Sequence, residues 1–210
     1  MKKGTEEKVL TIKAPNFQTI TLDIEGTAPL LQNKFSKKAV ETIMGKQQQG
    51  STARTKKDRA ARDYEQDFLE AQYLSEEGWN GIPASSFRSA AIRACKLVGY
   101  NMTDAKMSIF VQAEGYDPDG TPLVRIIGGK PEMHTAYVRL QGTTTDIRVR
   151  PMFKKWGCKL HVTFDGDQFT AQDVVNLFNR AGLQVGVGEG RPFSKTSDGL
   201  GLGTFKVKSN

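Results

Sequence analysis

Cysteine and histidine are scarce in this chain: each occurs twice in 210 residues. Cys95 and Cys158 lie 63 residues apart without the paired spacing of a zinc site, so neither a disulfide framework nor a thiolate metal centre is expected, and a reduced compartment is the simplest reading. His134 and His161 have no metal-ligand spacing around them, and His161 sits in an alternating stretch where a structural role is commoner than general-base work. Long apolar runs are also missing. Met1 to Lys8 is charged and leads into no stretch of signal-peptide length, and no segment is long enough to span a bilayer. The expectation is a cytoplasmic protein with no membrane contact, no metal and no cofactor.

What the chain has instead is basic charge in one place. The formal net charge is +7, and the stretch Lys34 to Arg62 accounts for all of it: Lys34, Lys37, Lys38, Lys46, Arg54, Lys56, Lys57, Arg59 and Arg62 face only Glu41 and Asp58. The remaining 181 residues are balanced. With Gln47, Gln48, Gln49, Gly50, Ser51 and Thr52 at its centre, this reads as a basic insertion able to close on phosphate; a solvated loop without a partner is the alternative.

Apolar content of 38% is sufficient for a core, and one domain spanning 1–210 is expected. Phe17 to Gly26 alternates, with Ile20, Leu22 and Ile24 on one face, and predicts a first strand. Ser36 to Gln48 predicts a short helix. Arg59 to Leu74 reads as helix, although Tyr64, Phe68 and Tyr73 also suit a strand. Together they make 33–78 a basic helical insertion. Gly81-Ile82-Pro83 breaks the chain, and Ser85 or Ser86 is expected to cap an amphipathic helix carrying Phe87, Ala90, Ala91, Ala94, Cys95 and Val98 on one stripe and ending at Gly99.

Strands are then expected at Met107–Ala113, Pro122–Ile127, Thr135–Leu140, Asp146–Met152 and Cys158–Phe164. Asp117-Pro118-Asp119-Gly120 predicts a hairpin turn between the first two. Thr170 caps a last helix, with Val174, Val175, Leu177, Phe178 and Ala181 inward and Gly182 as its stop. A glycine-rich loop over 183–203 leads to a final strand at Gly203–Lys208. The order is that of an elaborated β-α-β-β-α-β unit: an α+β, ferredoxin-like, RRM-type core with an antiparallel sheet, an added β-hairpin and the basic insertion.

Seven of the 21 glycines fall between Gly182 and Gly203. Glycine allows close backbone approach and left-handed geometry, so Gly186 and Gly188 with Arg191 and Lys195 form a candidate anion cradle; a flexible crossover loop is the alternative. No Walker or Rossmann fingerprint is present. A helix starting near Ser85 and Ser86, with Arg88 and Arg93 on it, is a second candidate phosphate site, against the reading of both arginines as plain surface charge. Arg148 and Arg150 alternate with Ile147 and Val149, which places them on one face of a strand. Phe17, Tyr100, Tyr116, Tyr137, Phe153 and Trp156 are candidate stacking platforms, but no RNP-like pattern occurs, so a grip on the backbone without sequence readout is the expectation.

Gly81-Ile82-Pro83-Ala84-Ser85-Ser86-Phe87-Arg88-Ser89-Ala90-Ala91-Ile92-Arg93 resembles the central signature of the RAMP superfamily, the CRISPR-associated RNA-binding proteins. Glu25-Gly26-Thr27-Ala28-Pro29-Leu30 is similar to the close of that superfamily's first strand. Val185 to Pro192, followed by Gly201-Leu202-Gly203-Thr204-Phe205, resembles its C-terminal glycine-rich loop and final strand. The three stand in the family's order and cover both ends and the middle of the chain.

The resemblance implies a backbone subunit that stacks head-to-tail as a filament on single-stranded nucleic acid, RNA before DNA, in company with other CRISPR-type or phage recombination proteins. Ala84 and Ser89 stand where two glycines are usual, a departure that fits a stand-alone, phage-encoded relative. Some relatives cleave RNA with an aspartate after strand one; this chain has Asn33 there and only later Asp58 and Asp63, so no enzyme activity is expected. Competing readings are a phage single-stranded DNA-binding or annealing protein, a CRISPR-subunit mimic, and an endoribonuclease.

Overall fold

The alternation at Phe17–Gly26 becomes strand β1 with those bounds, Leu22 and Ile24 buried and Phe17, Thr19 and Thr21 exposed. The structure is a computed structural model and describes residues 12–35, 40, 41, 44, 45, 47, 62–140, 144–194 and 199–208. β1 lies antiparallel to a long strand, β10 (Trp156–Asp165), in a register running from Phe17 opposite Asp165 to Glu25 opposite Gly157. Outside β1 lies β11 (Phe205–Val207), and outside β10 lies β4 (Ile109–Val111), so the order is β11-β1-β10-β4 with every neighbour antiparallel. A two-residue strand, β7 (Ile127–Gly128), pairs with the start of β10.

Four helices, α1 (Tyr64–Glu70), α2 (Ala84–Cys95), α3 (Met102–Ser108) and α4 (Ala171–Arg180), are complete among the described residues. α2 lies between β1 and β4 in the chain, and α4 between β10 and β11. Strand order and crossovers together are those of an α+β, ferredoxin-like core. Phe87, Ala90, Ala91, Ala94 and Cys95 of α2 and Val174, Leu177 and Phe178 of α4 are buried in one cluster with Leu160, Val162 and Phe164 of β10. The small residues of α2 let its backbone come close to the sheet, and Phe87 meets Phe205 edge-on at 5.5 Å between ring centroids.

Beside this core stand two small sheets. One is the hairpin of β8 (Glu132–Leu140) and β9 (Thr144–Phe153), joined by β2 (Leu30–Leu31). The other is β3 (Gly81–Pro83), β6 (Pro122–Arg125) and β5 (Gly115–Tyr116).

Several expectations change. Met107 and Ser108 are helical: Asn101 caps α3 by accepting from the Thr103 amide, Ala105 is buried, and only Ile109–Val111 of the expected strand is extended. The Asp117–Gly120 turn forms, but it joins Gly115–Tyr116 to Pro122–Arg125. Gly81-Ile82-Pro83 is a paired strand and not a break. Because Pro83 pins φ at −53° at the end of that strand, the helix starts at Ala84 with no side-chain cap, and Ser85 and Ser86 fall in its first turn.

Gly182 does not stop the last helix. The chain continues as a π-turn over Ala181–Val185 in which Gly182 packs on the Phe205 carbonyl, and Gly186, at φ +70°, ends it. Val98 is exposed and Val175 half-buried. Of the helix expected over 36–48, Val40, Glu41, Met44, Gly45 and Gln47 are helical and the rest lies outside the described residues; within 59–74 the helix is Tyr64–Glu70.

Candidate nucleic-acid interface

Backbone hydrogen bonds stitch the segment after β1 to the glycine-rich loop, and the Gln32 side chain ties it to β3, the strand that leads into α2. Gly203 N–H donates to the Pro29 carbonyl at 2.8 Å, Val187 N–H to Gly203 at 2.9 Å and Glu189 N–H to Leu31 at 2.9 Å. Gln32, 3% exposed, donates its side-chain amide to the Gly81 carbonyl at 2.7 Å and accepts from the Tyr73 amide. Close packing accounts for two key glycines. A Cβ on Gly188 (φ +79°) would stand 2.6 Å from the Leu31 carbonyl oxygen, and one on Gly203 (φ +64°) 1.8 Å from that of Val187. With Val185 and Val187 buried, residues 185–190 pack as a wall against the core.

Two depressions open over this wall and a third adjoins the first of them. The largest, about 550 Å³, is bordered by Asn33, Tyr73, Ser86, Arg148, Glu189 and Arg191 among others. The second, about 210 Å³, shares Ser86, Gly188 and Arg191 with it and adds Ser85, Ser89, Arg93 and Gly186. A third, about 290 Å³, shares Asn33 and Arg148 with the first and adds Lys34, Arg62 and Arg150. Ten of the predicted residues thus border one connected surface: Lys34, Arg62, Ser85, Ser86, Arg93, Arg148, Arg150, Gly186, Gly188 and Arg191.

The second depression is lined by two cations, Arg93 and Arg191. Among the described residues no carboxylate lines it. Arg93 and Arg191 border it together, and burial, followed by the proximity of Arg93, pulls the Arg191 guanidinium below its ordinary pKa. Arg191 donates to the Gly188 carbonyl at 2.6 Å, and the Arg93 guanidinium lies 5.7 Å from the centroid of the Phe193 ring. Among the described residues the hydroxyls of Ser85, Ser86 and Ser89 make no side-chain hydrogen bond, and the α2 N-terminus above them has no side-chain cap. Hydroxyls and positive charge face a space that, among the described residues, no carboxylate lines.

The other basic groups are partly neutralised. Lys34 is paired with Asp117 at 2.8 Å and Asp119 at 2.6 Å. Arg62 pairs with Asp146 at 2.8 Å and also donates to the Ile147 carbonyl, while Arg148 stands 3.5 Å from the same carboxylate. Burial pushes the Asp146 carboxyl up, but the two arginines outweigh it and hold it below the usual range. Arg150 Nε donates to Glu189 at 2.8 Å.

Arg88 lies apart from all three depressions. Its Nε donates to the Ile109 carbonyl at 2.8 Å, a terminal nitrogen donates to that of Lys106, and the guanidinium sits over Phe110. Lys37, Lys38, Arg54, Lys56, Lys57, Arg59 and Lys195 lie outside the described residues.

Of the candidate stacking platforms, Phe153 and Trp156 are core residues, 1% and 4% exposed, and Tyr100 packs on Phe169. Phe17, Tyr116 and Tyr137 are exposed but border none of the depressions. Sequence reasoning missed Tyr73 and Glu189. Glu189 was visible only as part of the glycine-rich run, and nothing in the local pattern around Tyr73 distinguished it from a helix or strand residue. Among the described residues no three His, Cys, Asp or Glu side chains are grouped to hold a metal ion, and no helix is long and apolar enough to cross a membrane.

No protein-family model and no curated protein matches the chain. Among solved structures, a chain of the Type III-B Cmr-beta complex bound to cognate target RNA, determined by cryo-EM, is similar at a TM-score of 0.44 and 9% identity, with 92% of this chain covered. This chain spans 60% of the length of that one.

Proposed function

We propose that the protein binds single-stranded nucleic acid, RNA in preference to DNA, through the phosphate backbone, and that it does so as a cytoplasmic, RAMP-like subunit assembling head-to-tail along the strand without catalysing a reaction on it. The observation that carries this reading is the second depression: two neighbouring guanidiniums, three serine hydroxyls and an uncapped helix start around a space that, among the described residues, no carboxylate lines. Phosphate oxygens are acceptors with negative charge and meet that set of donors directly. The three segments that resemble the RAMP superfamily, far apart in sequence, meet at this surface, two through backbone hydrogen bonds and the third through the Gln32 side chain.

In this reading Ser85, Ser86, Arg93, Gly186, Gly188 and Arg191 hold one phosphate, Arg148, Arg150 and Arg62 continue the path, and the basic insertion clamps over it. Lys34 and Arg88 serve the fold. Anisotropy titrations of a labelled 30-nucleotide RNA and its DNA equivalent over a salt series test the idea. Each phosphate contact to a single strand contributes about 0.7 to the slope of log affinity against log salt, so an R93A/R191A double variant, which removes the cations of this one phosphate site, should lose about 0.7 from it. An unchanged slope, or no binding by the wild type, sinks the reading; tighter binding of DNA would turn it to the annealing protein.

A further inference from the structure

We infer that the largest depression, beside the phosphate cradle, seats one base turned out of the bound strand and prefers guanine there. The inference rests on the backbone grip proposed above and adds a base-reading position to it. At about 550 Å³ the cavity has the size of a small-molecule site and exceeds what a phosphate needs. Its lining also differs in kind from that of its neighbour. Leu30 and Ile82, 1% and 2% exposed, give it an apolar floor, and Tyr73 supplies an aromatic wall. A flat, partly apolar ligand fits such a surface, and stacking on an aromatic ring is the usual way an unpaired base is held.

The polar groups at its rim select among bases. Asn33 and the Tyr73 hydroxyl make no side-chain hydrogen bond among the described residues. Among those residues Glu189 is the one carboxylate on the lining; its Oε2 accepts from Arg150, and its Oε1 has no partner among them. A carboxylate in a base pocket requires donors. Guanine places N1–H and N2–H₂ side by side, whereas uracil has a single N–H between two carbonyls that the carboxylate repels, and adenine and cytosine each bring one amino group. The guanidinium of Arg148, on the same lining, suits the O6 and N7 acceptors of guanine. Because Ser86, Gly188 and Arg191 border both depressions, a nucleotide whose phosphate rests on the cationic side has its base beside the larger cavity.

The test compares a labelled 20-nucleotide oligouridine with the same strand carrying one central guanosine, adenosine or cytidine, by anisotropy at fixed salt. The guanosine strand should bind about tenfold more tightly than oligouridine, and the adenosine and cytidine strands less than threefold. Glu189→Gln, which keeps the shape and can still accept from Arg150, should bring the guanosine-to-uridine ratio close to one. Tyr73→Leu should lower the ratio as well, and it leaves the Glu189 ion pair untouched should the first variant not fold.

Equal affinity of wild type for all four strands overturns the guanine pocket while the backbone grip stands. A ratio that survives both substitutions overturns it too. Failure of wild type to bind even oligouridine overturns the grip and the pocket together.

Discussion

Lys34 and Asp117, 83 residues apart, meet at 2.8 Å, and the Asp117 side chain has no exposed surface. Asp119 takes the same ammonium at 2.6 Å, and Asp117 also accepts from the amides of Asp119 and Thr121. The contact ties the chain leaving β2 to the β5–β6 turn. Burial pushes the Asp117 carboxyl up, but Lys34 and the Thr121 amide pull harder, and its pKa is lowered; burial likewise disfavours the Lys34 ammonium, but its two carboxylates raise it.

A lowered carboxyl stabilises the fold above its unfolded value, about 3.9, and the contribution is lost as pH falls through the folded value; a raised lysine contributes below about 10.4 and loses it as pH rises. Thermal stability should therefore be flat between these limits as far as this pair is concerned and decline on the acid side. Lys34→Met leaves a buried carboxylate unpaired and should cost about 3 kcal/mol at neutral pH in urea denaturation. Adding Asp117→Asn should recover part of that. Additive losses would show that the pair does not act as one.

Arg88 and Arg93 share a helix but not a function. Arg88→Met removes charge-assisted bonds to two backbone carbonyls and should lower stability by about 2 kcal/mol with RNA affinity intact. Arg93→Met should do the reverse, weakening RNA about fivefold or more with stability within about 0.5 kcal/mol. Denaturation and anisotropy on the same preparations check both.

Gly201 and Gly203 have left-handed φ of +74° and +64°, but only at Gly203 would a Cβ strike backbone. Gly201→Ala should cost about 1 kcal/mol, the steric cost of the conformation alone. Gly203→Ala must also displace Val187 and should cost at least about 3 kcal/mol. Equal denaturation midpoints for the two would show that the wall yields.

Thr170 and Asp173 form a reciprocal capping box at the start of α4. Thr170→Ala should lower stability by about 1 kcal/mol. The Thr170 hydroxyl and amide hold the Asp173 carboxyl below its ordinary pKa, so the box contributes above the unfolded value and is lost as pH falls through the folded one. The gap in melting temperature between variant and wild type should narrow in acid.

Some of this was legible locally. β1 and α4 are set by a period-2 alternation and by a capping threonine ahead of an apolar stripe, and both appear where those signals stand. The Arg148/Arg150 face follows from the pleat alone. Met107 and Ser108 read as strand because a short apolar alternation is ambiguous, and the Asn101 cap with the burial of Ala105 resolved it toward helix. Gly81-Ile82-Pro83 reads as a break because nothing local reveals that β6 pairs with it.

The amino-acid sequence by itself determined the class of the fold, the order of its main elements and the basic, glycine-rich composition of the surface, because each depends on periodicity, caps and charge counts within a short window. Only the tertiary structure decided which cations face an open groove. Arg88 and Arg93 carry the same side chain five residues apart, yet the carbonyls of Lys106 and Ile109 take up the first, while the second stands close to Arg191, 98 residues away. Tyr73 and Glu189 came to border one cavity in the same way, through the Gln32, Leu31 and Gly203 hydrogen bonds that fold three separate segments onto each other. Such pairings join distant parts of the chain, and no local pattern encodes them.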